Sequence, residues 1–231
     1  EVTDKQNILI KEIKEKSKKI KEKEIEEKKF KNKKFKNKKS NLRVLEDKTM
    51  TSKRIEILLL AAGASSRMKG SDKLLKELDG KTLLEHSARQ CAGSNADKVY
   101  TILAPNSEDK SQILKDLGVF VSVCHGSSEG MAASIRHGLS LVNPQTDAII
   151  VALADMPNIN SGIYNSLISS FDVGQNREIC RAVTVDGKPG HPVLFGRRFF
   201  ENMRLLRGDE GARSIIDTDK EYVFDVPTEG D

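Results

Sequence analysis

The chain has 231 residues, 37% of them hydrophobic and 32% charged, with a formal net charge of +5, enough for one domain and an additional segment. Its longest apolar run, residues 57–62, is far shorter than the roughly 18 residues of a membrane-spanning helix, and no apolar leader core accompanies the lysine-rich beginning. Three widely spaced cysteines, Cys91, Cys124 and Cys180, make neither a disulfide framework nor a metal knuckle, so the expectation is a cytoplasmic globular domain.

Residues 1–54 carry 20 Lys/Arg against 10 Asp/Glu, whereas the remainder carries 19 against 24. The basicity therefore belongs to a tail, set at residues 1–53, and the body from 54 to 231 is mildly acidic. The tail's apolar residues, Ile13, Ile20, Ile25, Phe30 and Phe35, follow neither a heptad nor a 3.6-residue stripe. With so little to bury it is expected to be disordered or a solvated helix. Interleaved acids and the scarcity of arginine argue against a nucleic-acid or membrane arm. The preferred expectation is non-native upstream sequence, with Met50 as the natural start.

In the body, short β-rich runs alternate with helical stretches. Strands are expected at 55–60, 98–103, 119–123, 148–153, 178–185 and 222–226. Helices are expected at 82–92, 109–117, 131–142, 161–171, 197–206 and 212–217. This alternation of apolar strands and helices predicts an α/β fold: a doubly wound, mostly parallel sheet with helices on both faces, in a single domain. In such sheets ligands sit beyond the carboxyl ends of the strands, so the loops after Leu60, Val123 and Leu153 are expected to carry the chemistry.

The loop after the first strand runs from Leu60 through Ala61, Ala62 and Gly63 to Arg67 and on to Asp72-Lys73-Leu74-Leu75. Small residues let successive backbone N–H groups approach a polyphosphate, and Arg67 and Lys73 add a forked donor and a point charge. Neither the dinucleotide fingerprint nor the P-loop spacing is present. Asp155 lies just past the apolar strand 148–153, before Met156-Pro157. A carboxylate there is either a turn former or a Mg²⁺ ligand, because Mg²⁺ takes one or two carboxylates plus phosphate oxygens and water. His191 stands between Gly190 and Pro192 in an expected turn. His86, His125 and His137 read as surface or structural, Cys91 and Cys180 as buried small hydrophobes, and Cys124 as ending a strand at the cleft.

The run AAGASSRMKGSDKLL resembles the signature loop of nucleotidyltransferases. Gly130-Met131-Ala132-Ala133-Ser134-Ile135-Arg136, Leu153-Ala154-Asp155-Met156-Pro157, Gly190-His191-Pro192-Val193-Leu194-Phe195 and Gly208-Asp209-Glu210-Gly211-Ala212-Arg213 follow in order. Together they are similar to the molybdenum cofactor cytidylyltransferase family, relatives of the molybdenum cofactor guanylyltransferases, from about Ile55 to the end of the chain.

The resemblance implies a Rossmann-like nucleotidyltransferase enzyme that transfers CMP from CTP to a molybdopterin cofactor and releases pyrophosphate. It implies Lys73, Arg67 and Asp155 as catalytic residues, with Mg²⁺ on Asp155. Nucleotide binding falls to Leu60, Ala61, Ala62, Gly63, Arg67, Lys73 and Ser134. Gly190, His191, Asp209 and Arg213 lie on the acceptor side, where Asp209 and Arg213 are expected to pair and shape their loop. Implied partners are the two substrates and a molybdoenzyme or its chaperone, with no nucleic acid and no membrane. Guanine-using relatives carry a second glycine where Ala62 stands, which implies a preference for CTP over GTP. The family's further Asp-Ile-Asp-Thr-like segment, the expected second metal contact, has no counterpart here, and its role is not carried to Asp231. The alternatives are another cytidylyltransferase, such as the methylerythritol-phosphate type, and a non-catalytic cofactor carrier.

Overall fold

The computed structural model describes residues 53–63, 72–209 and 211–228. The tail expectation (Lys53 apart) and Arg67 lie outside the described residues.

Nine strands and six helices appear among the described residues. They are β1 (Ile55–Ala61), β2 (Glu77–Leu78), β3 (Lys81–Thr82), α1 (Leu83–Ala92), β4 (Lys98–Leu103), α2 (Glu108–Leu114), β5 (Phe120–Val123) and α3 (Met131–Leu141). Then come β6 (Ala148–Leu153), α4 (Ser161–Ser170), β7 (Ile179–Val183), β8 (Pro189–Gly196), α5 (Phe200–Arg204), α6 (Arg213–Thr218) and β9 (Val223–Pro227). The central sheet has the order β5-β4-β1-β6-β8-β7-β9. Strands β5, β4, β1 and β6 run parallel to one another, β8 is antiparallel to both β6 and β7, and β9 is parallel to β7. This is the mostly parallel, Rossmann-like single domain that the alternation of elements predicts.

Alternation along β1 explains the two-sided core. Ile55, Ile57, Leu59 and Ala61 face one hydrophobic cluster with Leu84 and Ala88 of α1 and Tyr164 and Leu167 of α4. Leu58 and Leu60 face the other, with Ile135 and Leu139 of α3 and Phe200 and Met203 of α5. A strand whose successive side chains enter opposite layers is apolar on both faces; the one charge in β1, buried Glu56, is satisfied by Arg54 and by Asn143 N. No described helix is long and apolar enough to cross a membrane.

Several boundaries differ from the sequence reading. The helix expected at 109–117 stops at Leu114, where Asp116 and Gly118 take positive φ values of 67° and 73°. The stretch 197–206 opens as a 3₁₀ turn at Arg197–Phe199 before α5. The strand expected at 178–185 ends at Val183, where a turn closes through Gly187 N to Thr184 O at 2.8 Å. Two features were missed. One is the β2–β3 hairpin, whose Asp79-Gly80 turn has φ of 51° and 75°, the type I′ preference of an Asp-Gly pair. The other is β8: His191 lies in a strand, not in a turn.

Candidate active site

Parallel strands β1 and β6 deliver Ala61–Gly63 and Asp155 to the same sheet edge. Leu60 and Leu153 are direct partners in register, and Ala154 N donates to Leu60 O at 3.1 Å. The Ser87 hydroxyl of α1 donates to Ala154 O at 2.9 Å. The backbone just before Asp155 is thus held from two sides, while its carboxylate turns outward. Leu60, Ala61 and Ala62 are buried, so their side chains belong to the core and Gly63 alone of the four is exposed.

The chain returns at Asp72, which caps the 3₁₀ turn Lys73–Leu75. Its Oδ1 accepts from Leu74 N at 3.0 Å. Leu74 anchors the turn in the first core cluster, and Lys73 projects the other way. Its Nζ lies 3.0 Å from Asp155 Oδ2, with the two side chains 49% and 42% exposed. The structure therefore brings together the two residues that the sequence singles out for phosphate and metal.

Antiparallel β8 supplies the third group. Val151 pairs with Val193 at the last step of the β6–β8 ladder, and His191 stands two residues before Val193 along β8. His191 Nδ1 sits 3.4 Å from Val151 O; because a carbonyl only accepts, this contact places the proton on Nδ1 and leaves Nε2 as the acceptor. Burial holds the imidazole below its ordinary 6.5, opposed by the Val151 carbonyl and the Asp155 carboxylate. A neutral ring beside a carboxylate is the result.

At the start of α3 the first backbone donors are already taken: Met131 N donates to Asp209 Oδ1 at 3.1 Å and Ala132 N to Gly208 O at 3.0 Å. A carboxylate at this helix end also complements the macrodipole. Asp209 is thus a helix cap, and the expected Asp209–Arg213 pair does not form; Arg213 instead lies 3.6 Å from Asp217 of its own helix. Close packing enforces the arrangement: Gly130 has φ of 106°, and a Cβ there would stand 2.5 Å from Asp209 Oδ1 and 2.6 Å from the Gly208 carbonyl. Ser134 is 5% exposed, within α3 and not at its open end. Gly190 is exposed, with open space where a Cβ would stand.

The remaining polar residues behave structurally. His86 Nε2 lies 2.6 Å from Leu78 O and His137 Nε2 lies 2.8 Å from Ser122 Oγ. Burial pushes the thiols of Cys91 and Cys180 up to about 12, far from a reactive thiolate. Cys124 is also buried, in the second core cluster and not at the cleft. Sequence reasoning missed Ser87, the capping role of Asp72, and Lys110. For Lys110 a signal existed: it stands one helical turn before Leu114 on the inward face of α2.

A model of the MobA-like NTP transferase domain matches residues 57–223. Among solved structures, Rv0371c from Mycobacterium tuberculosis H37Rv superposes with a TM-score of 0.69 at 27% identity, covering 79% of this chain and 91% of that one. The same protein in complex with manganese gives 0.65 at 24% identity, over 78% and 91% of the two chains. Among curated proteins, the purine catabolism protein PucB of Bacillus subtilis is 27% identical over 69% of this chain and 78% of its own. The bifunctional protein GlmU of Lactobacillus johnsonii is 25% identical over 67% of this chain. The chain spans only 31% of that protein's length. With the family match running from β1 to the start of β9, the chain belongs to the MobA-like NTP transferase domain family and is a nucleotidyltransferase by fold and family.

Proposed function

We propose that this domain transfers CMP from CTP to a molybdopterin cofactor, forming the cytosine dinucleotide cofactor and pyrophosphate. The observation that carries the reading is the Lys73–Asp155 pair, 3.0 Å apart at the edge of β1 and β6 beside Ala61–Gly63. A half-exposed ion pair is worth little, about 0–1 kcal/mol, so a triphosphate and its counter-ion can take the two charges apart at small cost. Lys73 can then turn to the α-phosphate and Asp155 to a divalent cation.

The donor set suits such an ion. Among the described residues no group of three or more His, Cys, Asp or Glu side chains converges. A cation on Asp155 would therefore complete its shell with phosphate oxygens and water, the habit of Mg²⁺, and the mycobacterial relative is described with manganese. When bound, the metal supplies neutralisation of charge on the transferring phosphate.

In the reaction, a terminal phosphate oxygen of the acceptor attacks the α-phosphorus. A new P–O bond forms, the bond to the β-phosphate oxygen breaks, and pyrophosphate leaves with that electron pair. Little proton transfer is required, so the protein's work is positioning and electrostatics. Lys73 and Arg67 hold negative charge, the Ala61–Gly63 backbone lies along the triphosphate, and Ser134 lines the nucleotide side. Neutral His191 offers Nε2 as an acceptor toward the pterin, and Gly190 leaves room beside it. Asp209 acts on the acceptor side by fixing the start of α3, and Arg213 flanks the same loop. A molybdoenzyme or its chaperone would take the product.

The test supplies the protein with Mg²⁺, the molybdopterin cofactor and each nucleoside triphosphate, and measures pyrophosphate and the dinucleotide formed. Cytosine dinucleotide confirms the proposal. Transfer to methylerythritol phosphate alone selects the other cytidylyltransferase reading, and tight cofactor binding without pyrophosphate selects the carrier.

A further inference from the structure

Lys110 is a buried cation that the proposed chemistry does not use. It lies on α2, is 6% exposed, and reaches under the edge of β1. Its Nζ lies 2.6 Å from Asp72 Oδ2 and, at the outer limit of a hydrogen bond, 3.5 Å from Ala61 O. Ala61 and Asp72 are far apart in the fold's logic: one ends the central strand, the other opens the turn that carries Lys73. Asp72 Oδ2 meets Lys110, and its Oδ1 accepts from Leu74 N. A single ammonium therefore joins the strand end to the turn, and through the turn to the Lys73–Asp155 pair. Lysines are buried only when paired, so the side chain has strong reason to stay at this junction.

We propose that Lys110 is a positioning residue, whose buried ammonium clamps Ala61 to Asp72 and so sets the turn that presents Lys73 to the nucleotide. The inference rests on the nucleotidyl-transfer reading for its consequence, but not for its geometry. Removing Lys110 alone would take away this ion pair and unbalance the charge around part-exposed Asp72, so the informative variant removes both charges. In Asp72→Asn/Lys110→Met the amide oxygen can still cap Leu74 N, and the methionine keeps an apolar stem of similar length.

The experiment measures thermal midpoint, amide exchange of Leu74, Leu75 and Lys76, and CMP transfer in the full chain. The midpoint of the double variant is expected within about 3 °C of the parent. Exchange at the three amides rises roughly tenfold, reporting local loosening of the turn. The kcat/KM for CTP falls about 10–100-fold, the usual cost of removing a supporting contact behind a ligand-binding group. Placed in a Lys73→Ala background, the same two changes cost less than about twofold more, because residues acting through one element are not additive. Lys110→Arg restores the exchange protection. Unaltered exchange at Leu74–Lys76, or an undiminished effect in the Lys73→Ala background, overturns the proposal. Exchange requires no nucleotide, so a parent protein that protects these amides yet transfers no nucleotide defeats the functional reading without touching the clamp.

Discussion

The sheet has two halves built by different rules, and they meet at one edge. Strands β5, β4, β1 and β6 run parallel, so their carboxyl ends, with Ala61 and Asp155, gather on that edge. Strand β8 runs the other way beside β6, so its beginning, not its end, arrives there with Gly190 and His191. A chain reversal thus lets a strand start contribute to a site otherwise made of strand ends. The parallel half presents charge, Lys73 and Asp155, half-exposed and able to exchange partners. The antiparallel half presents a half-buried, neutral imidazole. Under the proposed function, the division lets a ligand reorganise the charged half while the opposite side is shaped in advance.

The largest effect that this contrast predicts is on the parallel side. Lys73→Ala and Asp155→Ala should each reduce transfer by about 10²–10³, the cost of losing a group that stabilises developing charge. Both side chains are about half-exposed, so the stability change should stay within about 0.5 kcal/mol. Steady-state rates and denaturant midpoints measured on the same preparations check both numbers. Near-normal turnover at saturating Mg²⁺ would remove the residue from the assigned role.

The next effect lies where the 208–209 loop meets α3. Gly130→Ala places a Cβ against the Asp209 carboxylate and Gly208 backbone at 2.5–2.6 Å, at a φ of 106° that L side chains rarely adopt. Strain and overpacking each cost about 1–3 kcal/mol, so urea denaturation should show a loss at the upper end of that range. Asp209→Ala removes only the cap and should cost about 0.5–2 kcal/mol. Equal losses for the two variants would mean that the loop simply moves away, and that the cap does not define the helix start.

How far the sequence announced this arrangement depends on the kind of signal. The strands β1, β4 and β6 were legible because each buries both faces, leaving a mostly apolar run broken only by Glu56 in β1 and by Lys98 and Thr101 in β4. Lys73 and Asp155 were legible because their motifs are dense. Strand β8 was not: Gly190-His191-Pro192 reads as a turn, and its membership in the sheet comes from antiparallel partners on both sides. The Asp209 cap was invisible for a related reason, since 78 residues separate it from Met131. Arg213, a plausible partner only four residues from Asp209 in sequence, turned out to pair within its own helix. Contacts made across the fold by residues in nondescript loops leave no local periodicity to read.

A smaller effect concerns nucleotide choice, and it sharpens the idea that the parallel half reads the triphosphate end. Ala62 is buried in the second core cluster, so its methyl is fixed in place. The domain is expected to prefer CTP to GTP; because the Ala62 side chain lies in the core, it acts on the base only through the backbone it anchors, so its effect should stay below the roughly 10–200-fold of a methyl in direct contact. Ala62→Gly should narrow that ratio without abolishing CTP use. Competition between the two nucleotides, scored by which dinucleotide forms, decides it; an unchanged ratio would move the choice of base to other residues.

The smallest effect is a pH dependence that lets the two halves be separated by titration. His137 belongs to the parallel half: it sits on α3 and pairs with Ser122 of β5. Burial, and secondarily the neighbouring His125, hold its imidazole below the ordinary 6.5. Between that depressed value and 6.5 the unfolded chain therefore binds more protons than the folded one. Stability rises with pH wherever the unfolded state is the more protonated, so the contribution is fully present above pH 6.5 and is lost as pH falls through the folded value. His191 shifts in the same direction, but the Val151 carbonyl and Asp155 oppose it. Urea midpoints should accordingly decline as pH drops below 6.5. His137→Gln, which retains a partner for the Ser122 hydroxyl but cannot titrate, should make that decline shallower. His191→Gln should flatten it too, and the two changes together more than either alone, because the rings lie on different elements and titrate independently. A decline that neither variant alters would assign the acid sensitivity to groups other than these two imidazoles.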